Sequence, residues 1–196
     1  MKGCELHVRK TGKELGLGAT KSKIYAEESG KHAGNHMVGC ELHVRKTGNG
    51  LGSGATNSRI YADEAGRGAG MDIEDCELHV KKTTDWLGSR AKNSRIYADY
   101  TGNNAGWGMD RSKLHVKKAD EYLGGFAKNS KIYADETGTH AGKDMENSQL
   151  FIYKLDGKLY SGCLKGKNKI YLGRESYYEH HLRYKLTGVK VWEKKT

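Results

Sequence analysis

Four histidines at one offset, His7, His43, His79 and His115, are the side chains best suited to chemistry, because imidazole ligates metals and exchanges protons near neutral pH. Each lies in an alternating run, Cys4-Glu5-Leu6-His7-Val8-Arg9-Lys10, which recurs from Cys40, from Cys76 and, as Ser112-Lys113-Leu114-His115-Val116-Lys117-Lys118, from Ser112. The histidines fall on the face opposite Leu and Val, so they read as solvent-facing strand residues. No ligand set with metal-site spacing recurs beside them. Cys4, Cys40 and Cys76 share a column that Ser112 completes, and no CxxC pair exists. If 18-residue units stack about 4.8 Å apart, those cysteines lie roughly 10 Å from one another. A disulfide reaches about 7 Å. The column therefore predicts small, half-buried free thiols. His180 and His181 are adjacent on a strand-like stretch and face opposite ways, which prevents joint chelation.

Catalysis needs a constellation that occurs once, whereas these groups come in near-equal copies. The chain carries no GxSxG, no HExxH, no phosphate loop and no GxGxxG opening a helix. Leu15-Gly16-Leu17-Gly18 and Gly50-Leu51-Gly52-Ser53-Gly54 fit turn and bulge positions of the repeat. We expect no enzyme, no cofactor and no metal. Three sets of residues suggest binding instead. Arg59, Tyr61 and Asp63, with Arg95, Tyr97 and Asp99 and with Lys131, Tyr133 and Asp135, alternate outward and offer donor, flat ring and acceptor to a sugar or a charged peptide. The competing reading is a surface ladder in which Tyr packs along Tyr. Trp86 and Trp107, with Tyr122 and Phe126, concentrate in repeats three and four at offsets that otherwise vary freely. They suit stacking on sugars or bases, or else decorate solvated loop tips. Lys165, Lys167, Lys169 and Arg174 form a candidate polyanion site near the C-terminus.

The elements that position these residues are set by repetition. Ser130-Lys131-Ile132-Tyr133-Ala134-Asp135-Glu136-Thr137-Gly138 recurs every 36 residues, from Ser22, Ser58 and Ser94. The period divides again, because Leu6, Ile24, Leu42, Ile60, Leu78, Ile96, Leu114, Ile132 and Leu150 fall 18 apart, as do the glycines from Gly16 to Gly142. Period-two alternation predicts strands, and Thr11-Gly12-Lys13 and Asp156-Gly157 read as hairpin turns. Leu15, Leu17 and Ala19 continue the alternation on one face. Ala19, Ala55, Ala91 and Ala127 align with Met37, Ile73, Met109 and Met145, so small alternates with large. Charge alternates too: Arg9-Lys10 aligns with Glu27-Glu28, and Arg45-Lys46 with Asp63-Glu64. Slippage by one unit would set like charge against like, so odd and even units should touch. Within each even half, Tyr25 followed by Gly30 and Gly34 resembles the short hairpin repeats of the MORN type. Their Trp and shorter period are missing here, and no residue role is carried over.

With 36% hydrophobic residues and a mean hydropathy of -0.81, the chain is thin for a central core, but stacked repeats need only a narrow apolar strip. There are 27 Gly and no Pro, and no apolar run long enough to span a bilayer. Of the net charge of +10, residues 1–147 carry +3 and residues 148–196 carry +7. The expected architecture is all-β: residues 1–147 as four tandem 36-residue repeats of two hairpin-like 18-residue units, stacked into a solenoid-like or elongated array. Residues 148–196 read as a degenerate fifth repeat and basic cap. The rival is a five-bladed β-propeller. The expected role is a non-enzymatic binding, scaffold or self-assembly module in the cytoplasm. Its partners would be protein or its own copies first, then carbohydrate, or single-stranded nucleic acid at the cap, without membrane insertion.

Overall fold

The computed structural model describes residues 1–164, 166–177 and 188–192. The strands are β1 (Glu5–Lys10), β2 (Lys23–Glu28), β3 (Glu41–Lys46), β4 (Arg59–Ala65), β5 (Glu77–Thr83), β6 (Arg95–Thr101), β7 (Lys113–Ala119), β8 (Lys131–Thr137), β9 (Gln149–Leu155), β10 (Lys169–Gly173) and β11 (Val189–Trp192). They form one sheet in chain order, and every pairing is parallel. Parallel neighbours cannot be joined by a tight turn, so the remainder of each 18-residue unit serves as the crossover. The molecule is a β-solenoid with one strand per coil. Ten steps of about 4.8 Å make the sheet roughly 48 Å long.

This corrects the expectation of hairpins. Thr11-Gly12-Lys13 and Asp156-Gly157 lead the chain around the coil and not back along its own strand, because each strand bonds to the equivalent strand of the next coil. A single continuous sheet also excludes separate propeller blades. A second ladder of single parallel bridges, Lys2↔Thr20↔Val38 and onward to Glu146, ties another side of the coils together. Between the two ladders the backbone keeps the same offset, as in Gly34 N–H donating to Leu15 O at 2.7 Å and Gly52 N–H to Ala33 O at 2.7 Å. In-register stacking thus satisfies main-chain groups around much of the coil.

The core consists of columns running along the axis. The Leu/Ile column from Ile24 to Ile170 is fully buried. Two further columns are out of phase: Leu15, Ala33, Leu51, Ala69, Leu87, Ala105, Leu123 and Ala141 against Ala19, Met37, Ala55, Ile73, Ala91, Met109, Ala127 and Met145. Each coil therefore holds one large and one small side chain, and the next coil exchanges their places. That exchange is why the sequence repeats at 36 while the structure repeats at 18. Leu17 was expected inside with Leu15 and Ala19, yet it is 48% exposed. The turn through Gly16 and Gly18, at φ 68° and 60°, breaks the strand-like alternation there.

Polar columns close the corners. Ser58 Oγ accepts from Cys40 N–H at 3.1 Å and donates to Thr56 O at 2.8 Å, while Ser58 N–H reaches Cys76 Sγ at 3.4 Å. Ser94, Ser112, Ser130 and Ser148 repeat the bond. Ser and Cys are interchangeable here because either side chain accepts from the neighbouring amide. After the two-residue insertion before β10, Asn168 takes over: its Oδ1 accepts from Ser148 N–H at 2.9 Å and its Nδ2 donates to Met145 O at 2.7 Å. Thr47, Thr83, Thr101 and Thr137 form a further column, each hydroxyl donating to a carbonyl of the preceding coil at 2.8–3.1 Å.

All four cysteines are free, with Cys40, Cys76 and Cys163 buried and Cys4 exposed. Burial pushes the Cys76 thiol up, and the Cys163 thiol up to about 11. The thiolate is the reactive form, so these two resist attack at ordinary pH. At pH 8 a thiol reagent should label Cys4 rapidly and leave Cys40, Cys76 and Cys163 unmodified until the chain is denatured. A Cys40–Cys76 bridge found by mass spectrometry in the native monomer would contradict this packing.

Candidate functional site

The strand face carries the residues singled out for chemistry. Outward positions at one register build an aromatic row in which His and Tyr alternate, where the sequence had suggested Tyr along Tyr. His7–Tyr25, Tyr25–His43, His43–Tyr61, Tyr61–His79 and His79–Tyr97 stack at 4.5–5.2 Å with interplanar angles of 12–19°. His115 breaks the stack, tilted by 52° from Tyr97 and 54° from Tyr133. Stacking resumes through Tyr133–Phe151 and Phe151–Tyr171. The stacked rings cover each other's faces, so this row presents ring edges, hydroxyls and imidazole nitrogens outward. His43 Nε2–H donates to Glu41 at 2.7 Å, and this bond holds the Glu41 carboxyl below its ordinary range. His7–Glu5 and His79–Glu77 repeat the pair at 2.8 Å.

Two residues further along each strand runs a row of alternating charge: Arg9, Glu27, Arg45, Asp63, Lys81, Asp99, Lys117 and Asp135. In-register parallel pairing sets these side chains beside one another, with Lys81–Asp63 at 2.6 Å and Lys117–Asp99 at 2.7 Å. The hydrogen bond that the Lys81 ammonium donates to Asp63 raises the Lys81 pKa. Lys10–Glu28, Lys46–Glu64 and Lys118–Glu136 repeat the arrangement one position on. Between the aromatic and charged rows lies a trench of about 1180 Å³ extending from His7 to Asp135. Its floor is the backbone of Val8, Ala26, Val44, Ala62, Val80 and Ala98. Rows two residues apart on a strand are about 7 Å apart, room for one extended chain.

The structure splits the predicted triplets. Tyr61, Asp63, Tyr97, Asp99 and Asp135 line the trench. Arg59 and Arg95 lie beyond the aromatic row, facing a second groove of about 530 Å³ with Lys21, Asn57, Glu77 and Asn93. Lys131 is exposed at the start of β8, and Tyr133 stacks on Phe151 outside the trench lining. Of the candidate polyanion residues, Lys167, Lys169 and Arg174 lie among the described residues. Lys169 opens β10, Arg174 follows its last residue, and Lys167 is exposed just before it. Lys165 lies outside the described residues, as do Tyr178, His180, His181 and Tyr184.

Trp86 and Trp107 belong to a separate cluster on the loop side of the coil. Their rings meet edge-on at 5.7 Å, and Trp107 also meets Phe126 at 4.7 Å and Tyr122 at 6.4 Å. Tyr122 stacks on His140 at 4.9 Å, and His140 leads to Tyr160 at 6.5 Å. The sequence reading missed His140, Lys143 and Tyr160. The repeat alignment puts Lys143 at the Trp107 offset two coils on, where the variation reads as an exposed loop tip. Among the described residues no cluster of His, Cys, Asp and Glu could hold a metal ion, and no helix is long and apolar enough to cross a membrane.

Fold and surface together define a parallel β-solenoid with two differently decorated faces. No family model, no curated protein and no solved structure matches the chain.

Proposed function

We propose that the chain is a non-enzymatic binding module whose repeated strand face receives an extended, uncharged polymer, for which a linear neutral glycan is the best chemical match. The observation that carries this reading is the trench itself. It is continuous over eight strands, and its charged wall alternates four basic with four acidic groups, so it offers no net field to a polyanion. Its other wall offers Tyr hydroxyls and His nitrogens. Closely spaced donors and acceptors of both signs suit a chain of hydroxyl groups. Near-equal copies at about 4.8 Å intervals let each added unit of a polymer repeat the contacts of the last.

Calorimetric titration with neutral β-1,4-linked glucose oligosaccharides of increasing length tests the proposal. Affinity should rise with each added unit until the chain fills the trench, and Asp63→Ala with Asp99→Ala should weaken it at least tenfold. Failure of every length to bind, or an affinity independent of length, would overturn it.

A further inference from the structure

The loop-side aromatic cluster is not something the solenoid needs. At its three offsets the early coils carry Glu14, Leu17 and Gly18, then His32, Asn35 and His36, then Gly50, Ser53 and Gly54, and they close in the same way. Trp86, Tyr122, Phe126 and His140 sit at φ 66°, 59°, 56° and 62°, at left-handed offsets that other coils fill with Gly50, Gly68, Gly54 and Gly108 or with Glu14, His36, Asp72, Arg90 and Asn104. A left-handed φ disfavours bulky aromatic side chains, so glycine or a short polar residue would be the easier choice at Trp86, Tyr122 and Phe126. Gly125 adds a seat: a Cβ there would lie 2.6 Å from Trp107 Cε3, so the missing side chain lets the indole lie on the next coil.

Into this cluster runs Lys143. Its ammonium lies 5.6–5.8 Å from the ring centroids of Trp107, Tyr122, Phe126 and Tyr160. Arg67 lies 5.7 Å over Trp86 at the far side. Among the described residues neither cation has a carboxylate at ion-pair distance. The rings orient both charges without neutralising them. His140 Nδ1, beside the box, is buried and has no hydrogen-bond partner among the described residues. Phe126 is 38% exposed, so the cluster opens to solvent.

We propose that this box is a second binding site, for an acidic sugar residue: the C–H face of the ring lies on Trp107 and Phe126, and its carboxylate pairs with the Lys143 ammonium. A ring face without charge would leave Lys143 unused, and an anion without a ring would leave the aromatic rings unused. The site stands apart from the strand-face trench and takes a ligand of different charge.

The test titrates the full chain with tetragalacturonate and with its methyl ester, which keeps the ring and removes the charge. Tryptophan fluorescence, to which Trp86 and Trp107 contribute, reads the binding. The acid should bind and quench, and the ester should bind at least tenfold more weakly. Lys143→Met, which keeps the length of the side chain within the box, should lower acid affinity at least tenfold. Trp107→Ala should abolish the signal, and Lys143→Arg should restore most of it. Asp63→Ala with Asp99→Ala, in the trench, should leave it unchanged, which separates this site from the strand-face reading. Equal binding of acid and ester, unchanged affinity in Lys143→Met, absence of binding at millimolar sugar, or preferential binding of adenosine monophosphate would each overturn the proposal.

Discussion

Gly106→Val is expected to destabilise the fold by roughly 3 kcal/mol, through backbone strain and overpacking acting together. Gly106 has φ 68°, and a Cβ built there would stand 2.9 Å from both Leu114 Cδ2 and Met109 Sδ. The informative comparison is Gly108→Ala. Gly108 has nearly the same φ, 67°, but its Cβ would meet only Arg90 Cγ at 3.5 Å, an ordinary contact. That change should cost only about 1 kcal/mol, the left-handed penalty alone. Left-handed φ recurs at four offsets in the coil, and three of them accept Glu14, Asn104, Arg90, Asp72, Lys21 or Asn57 because those side chains are not forced into the core. Only the offset from Gly16 to Gly142 is always Gly, since a Cβ there points at the Leu/Ile column. Guanidinium unfolding of Gly106→Val, Gly106→Ala and Gly108→Ala separates space from dihedral. Equal losses for the two Ala variants would show that φ alone selects the glycine.

Leu87→Ala should cost about 2–5 kcal/mol, the usual range for emptying a filled core position. Leu87 is fully buried, with Ala69 and Ala105 as its column neighbours, and it is the one large residue in its pair with Ala91. Adding Ala91→Leu returns the lost volume to the coil but places it in the column between Ile73 and Met109, which are already large. The double variant should therefore remain at least about 1 kcal/mol below the parent, because overpacking is also destabilising. Full recovery on thermal and denaturant melting would mean that only total volume matters and the out-of-phase columns do not.

Much of this architecture is legible in the sequence, and the physical reason is parallel, in-register stacking. Residues 18 apart become neighbours, so a column of letters is a column of atoms: Leu42 meets Ile60, and Lys46 meets Glu64. The small-large alternation and the charge alternation were both readable for that reason. The sense of the strands was not. Alternation followed by a Gly turn is common to hairpins and solenoid coils, and the two differ only in where the next strand lies. Leu17 was misplaced because strand periodicity was carried through a segment whose glycines bend it. On the surface, Tyr61 and Asp63 line one trench, whereas Arg59 lies beyond the row of stacked rings, a separation that strand alternation alone does not reveal. Lys143 shares the Trp107 offset in the repeat, but only the fold shows that its ammonium reaches four rings.

The exchange of large and small places between successive coils has a consequence for how such a chain changes length. Removing one coil would bring Leu against Leu with Ala against Ala in the core, or Met against Ile with Ala against Ala. On the surface it would bring base against base or acid against acid. Removing two leaves every contact of the same kind as before. The array thus has a parity, and duplication or loss of segments is tolerated only in even numbers of coils. Its growth step is 36 residues, or about 10 Å of axis, and any ligand that measures itself against the strand face meets a ruler graduated in those steps.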